Sequence, residues 1–187
     1  MIYLAYFTSK QTAAITICAS LWAIINLLIT PIFWDLTHLP ILCDMVGVSL
    51  IIITIWGVQK LGSASMMGAI ATILNFILRP GAVHFLGFTF ASIVFDVLTR
   101  LISYNSFNHR ISSYVAILAI SFISTLFAGF IIGNLFMNPV YLSNMYNSIL
   151  FFTILHGAGG ILGGIIGMII IRSLEARRII PLDLFYS

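Results

Sequence analysis

The stretch ILRPGAVHFLGF, residues 77–88, places an arginine, a Pro–Gly pair and a histidine between two long apolar runs. Proline disfavours a helical conformation in the residue before it, and glycine permits the tight turn that follows. The stretch therefore predicts that one apolar helix ends near Arg79 and that the next begins with His84 in its first turn. The two helices form a hairpin, and Arg79 and His84 lie at its closed end.

The composition on both sides of this turn is that of a membrane protein. Of 187 residues, 61% are hydrophobic and 7% are charged, whereas soluble surfaces need about a quarter of charged residues. A bilayer core about 30 Å thick takes roughly 20 apolar residues per helix, and the long runs lack the alternation of a barrel. We predict an all-α, polytopic membrane protein whose residues 1–187 form a single transmembrane domain. It is a compact bundle of six helices at about 11–30, 41–59, 62–78, 84–101, 113–135 and 148–171.

Basic residues in the joints between these helices indicate the orientation of the bundle. Only Arg79 lies on the outer side, and the other seven share the side that carries both termini: Lys10, Lys60, Arg100, Arg110, Arg172, Arg177 and Arg178. By the positive-inside rule both termini are cytoplasmic, in a multi-pass protein of the plasma membrane. The net charge of +3 fits this orientation and contact with anionic lipid, so no nucleic acid is expected as a partner.

The three outer joints and the last helix hold most of the unusual polar residues. Polar side chains at membrane depth cost free energy unless they pair or line a cavity, so their convergence points to function. We expect a pocket for a small polar molecule, with aromatic rings for stacking and charged groups for hydrogen bonds. The candidate substrate-binding residues are Trp34, Asp35, His38, Asp44, Arg79, His84, Asn138, Tyr141 and His156.

Several of these residues also have purely structural interpretations. Trp34 and Tyr141 are typical of the aromatic belt at the membrane interface, and Arg79 can extend its side chain to the headgroups. Asp44 in a first helical turn is favoured by the helix dipole. His84 and His156 are the hardest to explain as structural hydrogen-bond partners alone.

Metal binding and catalysis are less well supported by the sequence. His38, His84 and His156 are metal-ligating types, but no two of them have the i, i+3 or i, i+4 spacing of a typical metal site. We therefore predict no bound metal and no other cofactor in this chain, and transition-metal uptake stays an alternative. H-E-x-x-H, G-x-S-x-G and P-loop motifs are absent from the sequence, so we do not expect an enzyme.

Small residues recur at four-residue intervals in three of the predicted helices. Such faces let helix backbones approach closely within lipid. In the last two helices, packing inside the bundle is a sufficient explanation, whereas for Ala19 and Ala23 in the first helix we predict a partner-binding surface. The glycines concerned are Gly129, Gly133, Gly159, Gly160, Gly163, Gly164 and Gly167.

Asp96 stands near the cytoplasmic end of the predicted fourth helix, four residues before Arg100. This spacing predicts an i, i+4 ion pair. A contact of Asp96 with a cytoplasmic or membrane partner is the alternative.

Over nearly its whole length the chain resembles the S component, the substrate-binding membrane subunit, of energy-coupling factor (ECF) vitamin transporters. The resemblance rests on about six helices, the Ala19–Ala23 face, polar outer loops and a basic cytoplasmic end. The stretches IWGVQKLGSASMMGAI, residues 55–70, and RPGAVHFLGF, residues 79–88, look most like the group for thiamine and its hydroxymethylpyrimidine precursor. That group tends to carry an acidic residue in helix three, where this chain has Asn75, and the MHIPDG pattern of cobalt and nickel S components is absent.

The resemblance implies a division of labour among subunits. This chain would capture a small water-soluble vitamin or precursor on the outer face and dock through its first helix against a transmembrane T component. It would then topple to release the ligand inside, while two ATPase subunits hydrolyse ATP. The competing interpretation is a small structural or assembly subunit of a larger membrane complex, which would need no pocket.

Overall fold

The computed structural model describes residues 6–102, 111–179 and 181, and the regular secondary structure in these ranges is helical, without a β-strand. A 3-10 turn, Val83–Phe85, precedes α5, and a π-helical turn, Ile132–Phe136, extends α6. The all-α prediction is therefore confirmed. The α-helices of the described residues are α1 (Ser9–Leu28), α2 (Thr30–Thr37), α3 (Ile41–Val58), α4 (Ser63–Leu78), α5 (Leu86–Ile102), α6 (Ile111–Ile131), α7 (Pro139–Tyr146) and α8 (Ile149–Ala176).

Five helical segments of the described chain are long and apolar enough to cross a membrane, which makes this a multi-pass membrane protein. The predicted number of six is not matched, because the third predicted span corresponds to α4, which has only 16 residues. At 1.5 Å per residue α4 is about 24 Å long, less than the roughly 30 Å of a bilayer core. The five segments are Ser9–Leu28, Ile41–Val58, Val83–Ile102, Ile111–Phe136 and Ile149–Ala176.

Two joints that we predicted as connections contain short helices of eight residues each, α2 and α7. Both begin with a proline in the first turn, Pro31 and Pro139, where the missing N–H costs nothing. Asn138 caps α7, because its side-chain oxygen accepts hydrogen bonds from the backbone N–H groups of Val140 and Tyr141. These two helices cover the end of the bundle at which α1 ends and α3 begins.

Helix α8 packs against α3 and α6, and its glycines make both contacts possible. A Cβ added to Gly163 would lie 2.6 Å from the carbonyl oxygen of Met45 on α3. A Cβ added to Gly160 would lie 2.1 Å from the hydroxyl of Thr125 on α6. The predicted role of the α8 glycines in packing within the bundle is confirmed.

The opposite end of the bundle holds a network of polar contacts between the helix termini. Lys60, between α3 and α4, donates to the carbonyl oxygen of Tyr6 at 3.0 Å. Trp56 near the end of α3 donates from Nε1 to Glu175 near the end of α8 at 3.3 Å. We call this end, with Lys60 and Glu175, the charged end. Arg110, which we placed on the same side, lies outside the described residues.

Ala19 and Ala23 are buried inside the bundle, with exposed fractions of 0% and 1%. Helix α1 turns this face toward α3 and α4, so the two alanines are not open to a partner subunit. The predicted partner surface at Ala19 and Ala23 is therefore wrong in this structure, because the small face of α1 is used to approach its own neighbours. The exposed side of α1 carries a different stripe: Ile17, Leu21, Ile24 and Leu28.

Asp96 is fully buried, and its contacts differ from the predicted ion pair with Arg100. Its Oδ2 accepts from the backbone N–H and the hydroxyl of Ser65, at 3.0 and 2.8 Å. Ser65 lies in the first turn of α4, whose N–H groups have no partner within the helix. Asp96 therefore caps α4 from α5, and Arg100 forms no ion pair with it among the described residues.

Candidate binding cavity

A cavity of about 450 Å³ opens at the end of the bundle opposite the charged end. Its walls come from α2, the first turns of α3 and α8, the turn between α4 and α5, the end of α6, and α7. We call this end the cavity end. The lining residues are Thr30, Pro31, Trp34, Asp35, Pro40, Cys43, Asp44, Arg79, His84, Phe85, Phe88, Ala128, Ile132, Phe136, Met137, Asn138, Tyr141, Phe152 and His156.

Eight of the nine candidate residues line this cavity, and His38 does not. His38 ends α2 in a left-handed conformation, and its carbonyl oxygen accepts a hydrogen bond from the hydroxyl of Tyr146. Burial raises the pKa of Tyr146 to about 12, so this hydroxyl stays protonated and able to donate at neutral pH. His38 therefore joins α2 to α7 through its backbone, and its place in the predicted pocket is corrected.

Asp44 and His156 form a buried pair at the base of the cavity. Asp44 Oδ2 lies 2.6 Å from His156 Nδ1, and the two residues are 6% and 4% exposed. Asp44 belongs to the first turn of α3, whereas His156 lies two turns into α8. The pair thus links the two helices where each passes the cavity. His156 points into the bundle, as expected from its position two turns into the last helix.

Gly129 on α6 makes room for the His156 ring. A Cβ added to Gly129 would lie 2.9 Å from Cβ, Cγ and Cδ2 of His156. On the other side, the ring of Phe152, one turn earlier in α8, meets the imidazole edge-on with 4.7 Å between centroids. The imidazole is therefore held between the α6 backbone and an aromatic ring, with Nδ1 occupied by Asp44.

Arg79 and His84 lie together in the turn that the sequence indicated, where α4 ends and the 3-10 turn leads into α5. The backbone carbonyl of Arg79 accepts from the N–H of Ala82 at 3.0 Å, which closes the turn. His84 rests against Phe85 with 4.4 Å between ring centroids, and it is within electrostatic range of both Arg79 and His156. Arg79 itself is exposed at the mouth of the cavity and has no ion-pair partner among the described residues.

Aromatic rings form much of the remaining wall, and sequence reasoning missed most of them. Phe88 stacks on Trp22 with 4.0 Å between centroids and an interplanar angle of 10°. Phe85 and Phe136 line the cavity as well. Helical spacing could have indicated two of these rings as cavity residues, because Phe88 is one turn after His84 and Phe152 is one turn before His156 on the same helix faces.

The end of α6 forms part of the cavity wall through its π-helical turn. The N–H of Met137 bonds to the carbonyl of Ile132 at 3.1 Å, an i to i−5 bond that widens the helix next to the cavity. Such turns are frequent at functional sites. Asn138 follows directly and lines the cavity while capping α7, and Tyr141 completes this wall.

Asn75 bears on whether the ligand is related to thiamine. Asn75, which stands where the thiamine-type group tends to carry an acid, is fully buried, donates to the carbonyl oxygen of Ala71 and does not line the cavity.

Within the described ranges, no three His, Cys, Asp or Glu side chains are grouped as a metal site. Cys43 lines the cavity as a free thiol.

Comparisons of this chain with protein-family models, with curated proteins and with solved structures found no match. The fold and the cavity define its class: a multi-pass helical membrane protein with a cavity of mixed polar and aromatic character at one end of the bundle.

Proposed function

We propose that this chain is the substrate-binding S component of an ECF-type importer. It captures a small water-soluble vitamin or precursor, with a thiamine-related compound favoured, and delivers it inward with its partner subunits. The cavity is the observation that carries the proposal. Polar residues from separate joints converge there on a volume of about 450 Å³, which is within the roughly 300–1,000 Å³ of small-molecule sites.

The chemistry of the cavity supports a small organic ligand. Trp34 and Tyr141 can stack on a planar ring, and the Asp44–His156 pair and Arg79 offer directional and charged contacts. A subunit with only a structural role would gain nothing from burying an aspartate and a histidine beside an open cavity, because buried charges cost free energy. This cost is the reason to prefer a binding role over an assembly role.

The proposal also assigns partners and orientation. A transmembrane T component would contact this chain within the lipid bilayer, and two ATPase subunits would bind and hydrolyse ATP, so this chain needs no cofactor and acts as no enzyme. Both termini would face the cytoplasm in the plasma membrane, which puts the cavity end outside. The exposed apolar stripe of α1 is the surface that we propose for the T component in place of Ala19 and Ala23.

Equilibrium binding to the purified protein in lipid nanodiscs tests this proposal. The panel contains thiamine, hydroxymethylpyrimidine, other water-soluble vitamins, Co²⁺ and Ni²⁺, with empty nanodiscs as the control for partitioning. We expect one vitamin or precursor to bind saturably at micromolar or lower concentration. Tight binding of a metal ion alone would favour transition-metal uptake, and no binding at all would favour an assembly subunit.

A further inference from the structure

The turn that carries Arg79 and His84 is held by a side chain that does not itself line the cavity. Thr72 on α4 is 3% exposed, and its hydroxyl donates to the carbonyl oxygen of Phe85 at 3.0 Å. Phe85 is the last residue of the 3-10 turn and follows His84 directly. Within the described part of the chain, no other side chain forms a hydrogen bond to residues 79–85. Thr72 thus provides the side-chain hydrogen bond that supports this turn.

The direction of the hydrogen bonds around Thr72 follows from the groups involved. A carbonyl oxygen can only accept, so the hydroxyl hydrogen of Thr72 points to Phe85. The hydroxyl of Thr89 on α5 lies 2.8 Å from Thr72 Oγ1 and is therefore the donor in that contact. The two hydroxyls form a short chain that runs from α5 to α4 and back to the residue that precedes α5.

This arrangement differs from the usual one for a buried threonine in a helix. Such a hydroxyl can donate to the carbonyl oxygen four residues earlier, as Thr54 does to Leu50 at 2.8 Å. The corresponding carbonyl for Thr72 belongs to Gly68, and the hydroxyl of Thr89 lies 3.3 Å from it instead. The side chain of Thr72 therefore connects α4 to the start of α5 rather than bonding within its own helix.

Backbone hydrogen bonds extend this support from Phe85 to Arg79. The N–H of Phe85 bonds to the carbonyl of Ala82 at 3.1 Å, and the N–H of Ala82 bonds to the carbonyl of Arg79 at 3.0 Å. The ring of His84 rests against the ring of Phe85. A displacement of the Phe85 carbonyl would therefore move Arg79 and His84, which both line the cavity.

We infer that Thr72 is a positioning residue for ligand binding, because its hydroxyl holds the turn in the place where Arg79 and His84 meet the ligand. The inference rests on the proposed function, since it assumes that the cavity binds a small molecule. It goes beyond that function by assigning a role to a buried residue outside the cavity. A turn that is ordered in advance improves affinity, because less conformational freedom is lost on binding.

Hydrogen–deuterium exchange of the protein in lipid nanodiscs tests the hold on the turn without any ligand. Thr72→Val keeps the shape of the side chain and removes the donor, so the N–H groups of Ala82 and Phe85 should exchange about threefold to tenfold faster, as for the loss of one hydrogen bond. Thr72→Ser keeps the hydroxyl and should match the wild-type protein. Thr54→Val is the matched control, because Thr54 is 2% exposed and its hydroxyl bonds within α3.

Calorimetry with the compound that the vitamin panel identifies tests the positioning role. Thr72→Val should weaken binding by about threefold to tenfold, whereas Thr72→Ser and Thr54→Val should bind with wild-type affinity. A positioning residue acts through the groups that it positions, so its effect should shrink when one of them is absent. Thr72→Val should therefore cause a smaller loss of affinity in a protein that already carries His84→Ala.

The outcomes separate this inference from the proposed function. Wild-type exchange at the turn in Thr72→Val would overturn the inference, whether or not a ligand is known. Faster exchange with wild-type affinity, or an equal loss of affinity with and without His84, would overturn the positioning role and leave the proposed function untouched. If no compound of the panel bound to the wild-type protein, the proposed function would be wrong and the positioning role for binding would fall with it.

The melting temperature shows whether each variant is folded. If Thr72→Val is not folded, Thr72→Ala replaces it in every comparison, because alanine also lacks the hydroxyl and is a better helix former than valine.

Discussion

Gly129 and His156 face each other across the α6–α8 interface, and the glycine leaves only enough space for the imidazole: an added Cβ would lie 2.9 Å from the ring. Asp44 Oδ2 lies 2.6 Å from Nδ1, so a ring displaced by an added Cβ would also disturb this contact. The position of His156, which lines the cavity, is thus set by Gly129, which does not.

Gly129→Ala should therefore weaken binding of the compound that the vitamin panel identifies by about tenfold, or 1.4 kcal/mol, because the ring must shift. Gly164→Ala is the matched control. Its added Cβ would also lie 2.9 Å from a neighbour, Leu118, in the same α6–α8 interface, but nearer the charged end. Both variants should lose some stability, and only Gly129→Ala should lose affinity in calorimetry. Equal affinities would show that the ring position does not matter for binding.

The second prediction concerns the stability that depends on the Asp44–His156 pair. Removing one partner of a buried pair costs about 3–5 kcal/mol, so Asp44→Asn should lower the melting temperature by roughly 6 °C or more for a chain of this size. Glu175→Gln is the control, since Glu175 and Arg172 form a pair whose side chains are each 27% exposed, which is worth about 1 kcal/mol or less. Similar melting temperatures for the two variants, measured by tryptophan fluorescence, would argue against a paired, desolvated Asp44.

The polar part of the cavity could be predicted from the sequence because polar residues stand out in an apolar chain. Asp44, His84 and His156 each cost free energy at membrane depth, and placement around a cavity is one of the few ways to reduce that cost. The aromatic part could not be predicted in this way. Phe88 and its neighbours belong to a set of 15 phenylalanines that look alike in sequence.

The sequence predictions that failed concern local patterns that can make more than one kind of tertiary contact. A small face such as Ala19 and Ala23 allows a close approach without saying which helix approaches, and here it is used within the bundle. Asp96 has a suitable i, i+4 partner in Arg100, but it is buried against the first turn of α4 and accepts from the N–H of Ser65 instead. His38 is polar and close to the site in sequence, but its exposed ring lies edge-on to Trp34 outside the cavity lining, and its carbonyl oxygen accepts from Tyr146.

The third prediction follows from the correction to α1. Ala19→Leu and Ala23→Leu should each destabilise the protein by about 1–3 kcal/mol, because they overpack a buried interface. Leu21→Ala and Ile24→Ala lie on the exposed stripe and should change stability by no more than about 0.5 kcal/mol. If the proposed function holds, these two surface variants should weaken co-purification with the T component. Wild-type thermal stability in both Ala19→Leu and Ala23→Leu would contradict the buried placement of Ala19 and Ala23.

The fourth prediction concerns orientation in the membrane, which follows from the distribution of basic residues. Reporter fusions after Arg110 and after Ser187 should be cytoplasmic, and a fusion after Asn138 should be external. The measurement compares a reporter that is active only outside the cell with one that is active only inside. An external C-terminus would place the cavity on the cytoplasmic side and rule out capture of a ligand from outside.

The last prediction concerns the turn between α4 and α5, in which Arg79 and His84 line the cavity. Loss of a charged hydrogen-bond partner that a bound ligand desolvates costs about 2–5 kcal/mol and loss of a neutral one about 1–3 kcal/mol, whereas loss of an arginine that only reaches to lipid headgroups costs little. Arg79→Ala and His84→Ala should each weaken binding of the compound found with the vitamin panel by at least about tenfold, which is 1.4 kcal/mol. Expression and monodispersity should be unchanged, because Arg79 is exposed and the turn is closed by backbone hydrogen bonds.

Arg100→Ala, which removes the same side chain near the charged end of α5, is the control and should bind with wild-type affinity. Arg79→Lys separates charge from geometry, since lysine keeps the charge and lacks the planar fork that binds two acceptor atoms at once. An intermediate affinity would indicate that the ligand is held by the fork, and full affinity would indicate that charge alone suffices. Wild-type affinity in both Arg79→Ala and His84→Ala would mean that the turn serves only to connect two helices and anchor them at the lipid surface.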